Sequence, residues 1–473
     1  MTLQLVVFAL YFGALFIVGY AALRATRTSE DYWIAGGRLG WLVGGATMAA
    51  THASAGTFIG TIGVMHGSGF AFGWLVLSIP IAYWFIAAVL APRFTRQREI
   101  TLPAFLERRY YSRRVRVLGA AIVLVATVVY IQAQVVAGGL IANVILGVPI
   151  VWGMVGFTVV LVVYTMVGGM IAVVYTDLIQ LVVMVVGAAL AVPLTLRHLG
   201  GIGATLELAE AVNPQAFEWG SLPASLLVTM GLAFTLGTVA TPEKLVRLYA
   251  MRDMSTIRRG VLLAIVVATG LNLLIFLLAL ASSALFPVLP TGDLAMPLIA
   301  RAALPPILGA VLLAAITAAM MSTVDSLLLV AAAAVSQDLY PHWFGEPAAG
   351  HRRWLDRGAV VVTGSVPLIL LLSGVGEGEL VQFIVLLFTA LMAASFFMPV
   401  VGGVLWERAT REGAVAAMLG GVTSTFAWKL WGSAEIHPAL PGFLVSAVLF
   451  VAVSLSTAPP PEGAVAPYRV DDG

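Results

Sequence analysis

Long apolar runs, each closed by charged residues or by a Pro/Gly break, repeat along the whole chain. A helix needs about 20 mostly apolar residues to cross a lipid bilayer, and these runs reach that length. They lie at 3–24, 41–65, 68–92, 117–145, 147–167, 170–195, 223–249, 260–286, 305–337, 356–374, 378–405, 413–432 and 439–457. The pattern predicts an all-α membrane protein with about thirteen spans, or twelve if the VGG sequence at 167–169 does not separate two helices.

Two of the runs are rich in Gly, Ser, Thr and Pro. The second contains GGATMAATHASAGTFIGTIG at 44–63, and the seventh contains MGLAFTLGTVATPEKL at 230–245. Such segments are typical of irregular backbone that faces a cavity within a membrane protein. Close helix packing through small residues is the alternative explanation for each segment alone. Because the two segments are five spans apart, the pattern favours two inverted five-helix repeats, each beginning with a broken helix.

Lys and Arg residues are concentrated in alternate connections, and short connections rich in them remain on the cytoplasmic side. With the N-terminus outside, the inner connections include 93–116, 243–259, 351–357 and 407–412. Of the 25 Lys and Arg residues, only Arg197, Arg301 and Lys429 are then on or near the outer side. We therefore expect a multi-pass protein of the cell (cytoplasmic) membrane, with its C-terminus inside and its basic loops contacting membrane lipid.

Composition narrows the class of protein further. The chain is 60% hydrophobic and 10% charged, whereas a soluble domain has about a quarter of its residues charged. The absence of cysteine excludes disulfides and thiolate metal sites. Phosphate-binding loops and metalloprotease motifs are missing from the sequence, so we expect a protein that is not an enzyme. The net charge of +2 says nothing about nucleic acid in so apolar a chain, and we expect neither a nucleic-acid partner nor an obligatory protein partner.

Three ionisable residues lie deep in the apolar runs: His52, Asp177 and Asp325. A charged Asp at the centre of a bilayer costs on the order of 3 kcal/mol, so it usually faces water, an ion or a partner. Asp325 lies in MMSTVDSLLL, where Ser322 and Ser326 are its near neighbours on a helix. Hydroxyl and carboxylate oxygens are suited to a small hard cation. Alternatively, the hydroxyls bond to carbonyls one turn back, and the Asp is neutral or hydrogen-bonded in a helix contact.

Several motifs resemble one known family. They are DYWIAGGRLG at 31–40, SAGTFIG at 54–60, YTMVGGMIAVVYTDLIQ at 164–180, AAMMSTVDSLLL followed by QDLY at 337–340, and LWERATREGAVAAMLGG at 405–421. Over nearly its whole length the chain resembles the sodium:solute symporters, which include carriers of proline, pantothenate, monocarboxylates and glucose. The resemblance implies the leucine-transporter fold, in which two inverted five-helix repeats follow one extra helix and precede two more.

The implied division of the chain agrees with the pattern of apolar runs. Residues 1–40 would form the extra N-terminal helix and an inner loop, 41–195 the first repeat and 196–405 the second repeat. Residues 406–457 would form the two C-terminal helices. The Pro-rich, polar segment 458–473 is predicted to be disordered.

The resemblance also implies a principal sodium site between the first and eighth core helices. The matching positions here are the carbonyls of Ala50, Ala53 and Ala319 and the hydroxyls of Ser322 and Thr323. Sodium bound there would join the two helices, and its loss to the inside would free the bundle to release the solute.

A second cation or a proton is expected near Asp177, Asp325 and Ser326. Asp177 matches an acid associated with sodium release, or with a second sodium site in some family members. In those members hydroxyls stand at the positions of Asp325 and Ser326, so Asp325 departs from the family pattern. A second cation, a proton and a structural hydrogen bond remain open as explanations.

The residues that bind the solute are harder to predict, because a polar side chain in a helix contact is the alternative at each position. Candidates by position and polarity are His52, Thr57, Gln132, Gln134, Thr238, Asn272 and Gln382. SAGTFIG and WERATREGA resemble pantothenate and monocarboxylate carriers, whereas AWKLW at 427–431 resembles proline carriers.

These observations predict a symporter that couples inward movement of sodium, its one expected cofactor, to the import of a small organic solute by alternating access. The expected solute is a carboxylate such as pantothenate or a monocarboxylate, and proline or a sugar is the alternative. Proton coupling through Asp177, Asp325 and His52 is a second alternative, and a non-transporting membrane sensor is a more distant one.

Overall fold

A computed structural model describes residues 2–26, 28–218, 221–376 and 378–469. The first part of the chain contains the helices α1 Thr2–Ala25, α2 Ser29–Ile34, α3 Trp41–His52, α4 Thr61–Ser68, α5 Ser78–Phe85, α6 Ala91–Phe94, α7 Leu102–Tyr110, α8 Arg113–Leu146 and α9 Ile150–His198. The second part contains α10 Ile202–Val212, α11 Ala224–Ala240, α12 Pro242–Ala250, α13 Met254–Leu285, α14 Ala295–Ala302, α15 Pro306–Ala333, α16 Tyr340–Phe344, α17 Ala349–Leu372, α18 Val381–Phe397, α19 Gly403–Leu405, α20 Arg411–Trp431, α21 Ala439–Ser456 and α22 Glu462–Val465.

Shorter helical turns connect or extend these helices. Turns of 3-10 helix lie at Ala35–Gly37, Gly69–Leu77, Pro214–Phe217, Gly292–Leu294 and Ala466–Tyr468. Turns of π-helix lie at Gly56–Gly60, Ile86–Leu90, Ala334–Leu339 and Met398–Gly402.

Within the described residues, ten helices are long and apolar enough to cross a membrane, and Ile150–Met166 is a shorter apolar helix. The predicted total of about thirteen also counts α20, and it divides the region of the candidate span Gly56–Phe94 into two predicted spans, 41–65 and 68–92. Gly69 supports that separation, because its φ of +71° turns the chain between α4 and the following helical turn.

The predicted break at 167–169 is present in the structure. Gly169 has φ +61° and ψ −171°, so α9 consists of two helices that meet at this residue. A side chain at this position would be strained by the positive φ, and a Cβ atom would also lie 2.5 Å from the Tyr32 ring. The glycine therefore favours thirteen spans over twelve.

Both Gly/Thr-rich segments are broken helices, as the sequence predicts. The first helix stops at His52, and Ala53 has the extended dihedrals φ −71° and ψ 105° before the chain resumes as Gly56–Gly60 and α4. The second stops at Ala240, and Thr241 has φ −73° and ψ 128° before Pro242 starts α12. Proline is suited to this first helical position because it has no backbone N–H to leave unpaired.

The long helices pack around these two breaks. α15 lies along α9 and α8, α3 packs against α13, α11 packs against α18, and α20 pairs with α21 beside α18. At the crossing of α3 and α13, a Cβ atom on Gly45 would lie only 2.5 Å from the carbonyl oxygen of Gly260. Glycine at such a crossing lets two backbones approach closely, which is how helices in a membrane commonly associate.

One predicted connection has to be corrected. Residues 243–259 were expected to form an exposed inner loop, but residues 242–250 are the helix α12, and all nine of them are buried. Only residues 251–253 connect α12 to α13. The charged side chains of α12 are buried because they find partners inside the protein: Lys244 pairs with Glu243, and Arg247 pairs with Asp177.

The C-terminal segment also differs from the expected disorder over its described part. Residues 462–468 form helical turns, and the buried Tyr468 ring packs edge-on against Phe105 at 5.7 Å between ring centroids. Arg469 forms ion pairs with Glu407 at 2.9 Å and with Glu462 at 2.6 Å. An aromatic anchor and two ion pairs thus hold a segment whose polarity indicated disorder. The remainder of the predicted tail, 470–473, lies outside the described residues.

Candidate functional site

Five buried oxygen atoms meet where α15 crosses the break in the first helix. The Ser322 hydroxyl lies 3.0 Å from the carbonyl oxygen of Ala50 and 3.1 Å from that of Ala319. The Thr323 hydroxyl lies 3.1 Å from the Ala319 carbonyl and 3.4 Å from the Ala53 carbonyl. The structure thus brings together all five residues that the resemblance assigned to the principal sodium site.

The break in the first helix explains why carbonyl groups are free to join this cluster. Because the helix stops at His52, the carbonyls of Ala50 and Ala53 point to side chains of α15 instead of to the next helical turn. Neutral carbonyl and hydroxyl oxygens are hard ligands, and their number and type suit a small hard cation better than a transition metal. The donor set therefore fits sodium.

Of the residues expected at a second cation position, Asp325 and Ser326 lie about one turn further along α15 and Asp177 lies on α9. Arg247 of α12, which was expected in an inner loop, contacts Asp177 and Ser326. The fully buried guanidinium of Arg247 donates to Asp177 Oδ2 at 3.2 Å and also to the hydroxyl of Ser326. Asp177 accepts a further bond from the hydroxyl of Thr47, which in turn accepts one from Arg247 Nε at 2.9 Å. A positive charge on this protein's own side chain therefore lies between Asp177 and Ser326.

Asp325 is separate from that ion pair. Its Oδ1 atom accepts a hydrogen bond from the Thr165 hydroxyl at 2.7 Å. Its Oδ2 atom is buried without a hydrogen-bond partner among the described residues, and the same holds for Asp177 Oδ1. Two carboxylates and one guanidinium therefore share this buried region between α9, α12 and α15.

A cavity lies on the other side of the first break. Its walls come from α3 and the turn after it, from α4, the 3-10 turn Gly69–Leu77 and α5, and from α8, α11, α12, α13 and α18. It includes five of the predicted solute-binding residues: His52, Thr57, Thr238, Asn272 and Gln382. Aromatic rings supply much of the rest, namely Phe72, Tyr130, Phe234, Phe276 and Phe388. A mostly apolar cavity with a few polar groups is the usual form of a small-molecule site.

Gln132 and Gln134 do not belong to the described lining of this cavity. Gln134 instead accepts a hydrogen bond from the backbone N–H of Ala55 at 2.9 Å through its Oε1 atom. That N–H lies inside the helix break, so the side chain replaces a bond that the helix no longer makes. Gln132 is buried nearby on α8, and its Nε2 atom has no partner within the described chain.

Comparison with known proteins now identifies the family. The sequence profile of the sodium:solute symporter family matches residues 32–421, which is most of the chain. The chain belongs to the sodium:solute symporter family. The prediction of that family from the motifs is confirmed.

Named relatives of this symporter carry two kinds of solute. An osmoregulated proline transporter of Bacillus subtilis is 28% identical over 99% of this chain and 98% of its own length. A sodium/pantothenate symporter of Escherichia coli is 27% identical over 93% of this chain and 94% of its own length. Both relatives match over essentially the whole molecule.

The fold also matches solved transporters. A sodium-coupled sialic acid symporter in a substrate-bound, outward-open state has a TM-score of 0.83 with 18% identity, covering 97% of this chain and 99% of that one. The nucleobase-cation symporter Mhp1 has a TM-score of 0.63 with 13% identity, covering 93% and 98% of the two chains. At these identities the likeness concerns the fold alone, and it confirms the leucine-transporter fold of this symporter.

Two residues at these sites, Arg247 and Lys244, were not predicted as candidates from the sequence. Both lie in α12, whose charges were attributed to an inner loop. A signal was available, because Pro242 follows a Gly/Thr-rich break and Lys244 and Arg247 fall within the next two turns of helix. The half-helix that follows a break begins near the middle of the membrane, where transporters place their binding sites, so charged residues in its first turns are candidates for such a site.

Proposed function

We propose that this protein is a sodium-coupled symporter that imports a small organic solute across the cell membrane. The observation that carries the proposal is the cluster of five buried oxygens from the broken helix and α15, adjacent to a polar-and-aromatic cavity. Membership of the sodium:solute symporter family supports the same function. The first solutes to test are proline and pantothenate, which the names of two relatives give as their solutes.

Sodium would be held by the carbonyls of Ala50, Ala53 and Ala319 and by the hydroxyls of Ser322 and Thr323. Three of these groups lie on α15 and two on the broken first helix. An ion shared between the two elements ties them together, because its removal leaves the carbonyls of Ala50 and Ala53 with only the two hydroxyl donors. Release of the ion to the inside would therefore loosen the contact that separates the cavity from the inner side.

The electrical driving force follows from the charge that is moved. Each positive charge that enters gains about 2.3 kcal/mol per 100 mV of membrane potential. This gain is available for a neutral or zwitterionic solute carried with one sodium ion. A solute with one negative charge, carried with one sodium, would instead be driven by the two concentration gradients alone.

At the second position, we propose that Arg247 provides the positive charge between Asp177 and Ser326. The guanidinium contacts both residues, and its presence there supports transport with a single sodium ion. Asp325 lies outside these contacts and keeps a free oxygen atom, so a second cation or a proton could still bind to it. Replacement by asparagine tests whether either of them binds, because the amide keeps the bond to Thr165 but removes both the charge that a second sodium would require and the carboxylate that would take up a proton.

The membrane orientation remains part of the proposal. The N-terminus would lie outside and the C-terminus inside, because the basic segments 93–116, 351–357 and 407–412 then lie on the cytoplasmic side. Because α12 is buried, Lys244 and Arg247 no longer count as residues of an inner loop, but the three other basic segments still do.

The function is tested by uptake into proteoliposomes under an imposed sodium gradient, with radiolabelled pantothenate and proline as the first solutes and potassium replacing sodium in the control. Accumulation that requires inward sodium is the expected result. Full uptake without sodium at any pH would replace sodium coupling with proton coupling. Failure to exchange labelled solute for unlabelled solute, for every solute tested, would favour a protein that does not transport.

A further inference from the structure

The cavity wall, as far as the structure describes it, contains a basic side chain but no acidic one. Among the described residues of its lining, Lys244 is the one lysine or arginine, and none is an aspartate or a glutamate. The other polar groups of the wall include the imidazole of His52, the hydroxyls of Thr57 and Thr238, and the amides of Asn272 and Gln382. The cavity thus presents one ammonium group, which pairs with Glu243 outside the described lining, and a set of neutral hydrogen-bonding groups.

Lys244 is placed where a lysine is rarely found. Only 5% of its surface is exposed, and lysine is almost never buried to this extent unless it is paired. Its ammonium group lies 3.2 Å from Glu243 Oε1. Glu243 is more deeply buried, at 1% exposure, and does not belong to the described cavity wall. Lys244 is therefore the member of the pair that lines the cavity, and Glu243 is its partner outside the described lining.

The pair is incompletely satisfied on both sides. Glu243 Oε2 is buried with no hydrogen-bond partner in the described part of the chain. An ammonium has three N–H donors, and the structure assigns Lys244 one side-chain acceptor, Glu243 Oε1. A carboxylate supplied from the cavity has two acceptor oxygens, enough for the two remaining donors.

We propose that Lys244 is the anion-binding group of the solute cavity and that it selects monocarboxylates without an amino group. This inference rests on the proposed function, because it takes the cavity to be the solute site. A carboxylate is the acceptor that matches an ammonium most strongly. The remainder of the solute would lie among the aromatic rings of Phe72, Phe234, Phe276 and Phe388 and hydrogen-bond to the neutral polar groups.

The same wall discriminates against an amino acid. A zwitterion such as proline brings an ammonium that has to be desolvated as the solute enters. No carboxylate of the described lining would pair with that ammonium, and Glu243, outside the lining, already pairs with Lys244, so burying the amino group there is unfavourable. The structure thus distinguishes between the two solute types found among the relatives, and it favours the pantothenate type of solute, an anion with a single charge.

The test compares solutes that differ only in the charged group. The full-length protein is reconstituted in proteoliposomes, and its thermal unfolding is followed in sodium chloride and in choline chloride. The probes are pantothenate and its alcohol pantothenol, lactate and lactamide, hexanoate and hexanamide, and proline. We expect sodium-dependent stabilisation by at least one of the three monocarboxylates, with its uncharged counterpart and proline giving at most a tenth of the affinity.

Variants of the two lysines in the chain provide the matched control. Lys244→Met should raise the half-saturating carboxylate concentration about ten- to a hundred-fold, as expected for loss of a hydrogen bond between charged groups. Lys244→Arg keeps the charge and should stay within a few-fold of the wild type. Lys429→Met removes an exposed lysine that pairs with Glu379 at 2.9 Å, and it should leave carboxylate binding unchanged.

The outcomes separate this inference from the proposed function. Sodium-dependent binding of proline or of the uncharged analogues, as strong as that of the carboxylates, would overturn the role of Lys244 and leave sodium symport standing. Carboxylate binding that needs Lys244 but is indifferent to sodium would support the lysine and contradict sodium coupling. If none of the carboxylates binds in sodium, the inference is wrong. The comparison of wild-type ligands decides the matter even if Lys244→Met does not fold.

Discussion

Asp177 and Arg247 show how individual residues make a charged group tolerable inside an apolar protein. Neither side chain is exposed, and their ion pair is embedded among the hydroxyls of Thr47 and Ser326. Arg247 Nη1 also donates to the Glu243 carbonyl at 2.7 Å, so the pair is anchored to the backbone of α12. The guanidinium thereby links three elements of the bundle: α3, α9 and α15.

Removal of one partner should therefore be strongly destabilising. We expect Arg247→Met to lower the free energy of unfolding by about 3–5 kcal/mol, the usual consequence of leaving a buried charge uncompensated. Chemical denaturation in detergent measures this difference. The double variant Asp177→Asn with Arg247→Met should recover part of the loss, because it removes both charges.

The control for this experiment is Arg353→Met, which removes an exposed arginine of α17 and should change stability by less than about 1 kcal/mol. If Arg247→Met is tolerated as well as Arg353→Met, the ion pair does not hold the bundle together.

Individual site residues could be predicted from the sequence where they belong to a recognisable motif, but not where they are buried charged residues. The meeting of Ala50, Ala53, Ala319, Ser322 and Thr323 followed from the family resemblance, because the matching motifs place Ser322 and Thr323 next to each other and the break next to Ala53. Arg247 and Lys244 could not, because a charged residue indicates exposure unless its partner is known. That partner for Arg247 is 70 residues away along the chain.

The broken first helix is the element on which the candidate site depends. Its break needs partners for the backbone groups that leave the helical pattern, and Gln134 on α8 provides one for the N–H of Ala55. The hydroxyls of Ser322 and Thr323 provide others for the carbonyls of Ala50 and Ala53. The break is thus held from two sides, by α8 and by α15.

Loss of the Gln134 amide should loosen the break and weaken sodium binding. In Gln134→Leu the buried N–H of Ala55 has no acceptor, which costs about 1–3 kcal/mol. We expect the half-saturating sodium concentration to rise several-fold, since the Ala53 carbonyl is two residues from the unpaired group. Sodium-dependent thermal stabilisation measures the effect.

Gln132→Leu is the matched control, because it removes a buried amide from the same helix without affecting the Ala55 bond. Equal sodium affinity in both variants would mean that Gln134 has no part in shaping the site.

Asp293, in the connection between α13 and α14, contacts two other helices, and we expect its contribution to stability to depend on pH. Asp293 Oδ2 accepts a hydrogen bond from the N–H of Val381 at 3.0 Å, at the start of α18. Gly63 of α4 packs so closely that a Cβ atom there would lie 2.6 Å from Asp293 Oδ1. Burial raises the pKa of this carboxyl from 3.8 to about 6, although the Val381 N–H acts in the opposite direction.

A raised carboxyl pKa means that the folded protein binds the proton more tightly than the unfolded chain does. The contribution of Asp293 to stability is therefore complete below about pH 3.8 and is lost as the pH rises through about 6. We expect the melting temperature of the wild type, relative to that of Asp293→Asn, to fall between about pH 4.5 and pH 7. A difference that stays constant or rises over this range would contradict the buried environment of Asp293.

At the scale of the whole molecule, periodicity and composition predicted the architecture well. The five-span spacing of the two Gly/Thr-rich segments predicted two inverted five-helix repeats. The structural match to the sialic acid symporter and Mhp1 confirms the leucine-transporter fold, which contains such repeats. Length and apolarity are sufficient for this because the bilayer fixes both for every span. The packing of residues 462–469 could not be foreseen, because it depends on contacts of Tyr468 and Arg469 with distant parts of the chain.

The proposed orientation can be tested directly, since the protein contains no cysteine. Single cysteines at Glu435, between α20 and α21, and at Arg411, at the start of α20, would mark opposite ends of one helix, and both positions are exposed. We expect a membrane-impermeant maleimide to label Glu435→Cys in intact cells and Arg411→Cys only after permeabilisation. The reverse pattern would place the N-terminus inside.

The central claim is that sodium binds where α15 meets the broken first helix, and equilibrium binding of radiolabelled sodium to the purified protein tests it most directly. The wild type should bind sodium saturably. Ser322→Ala and Thr323→Ala should each raise the dissociation constant about tenfold or more, as expected for loss of one ligand from a cluster of five. Ser446→Ala, which removes a buried hydroxyl from α21, should bind like the wild type. Equal sodium affinity in Ser322→Ala, Thr323→Ala and the wild type would contradict the account.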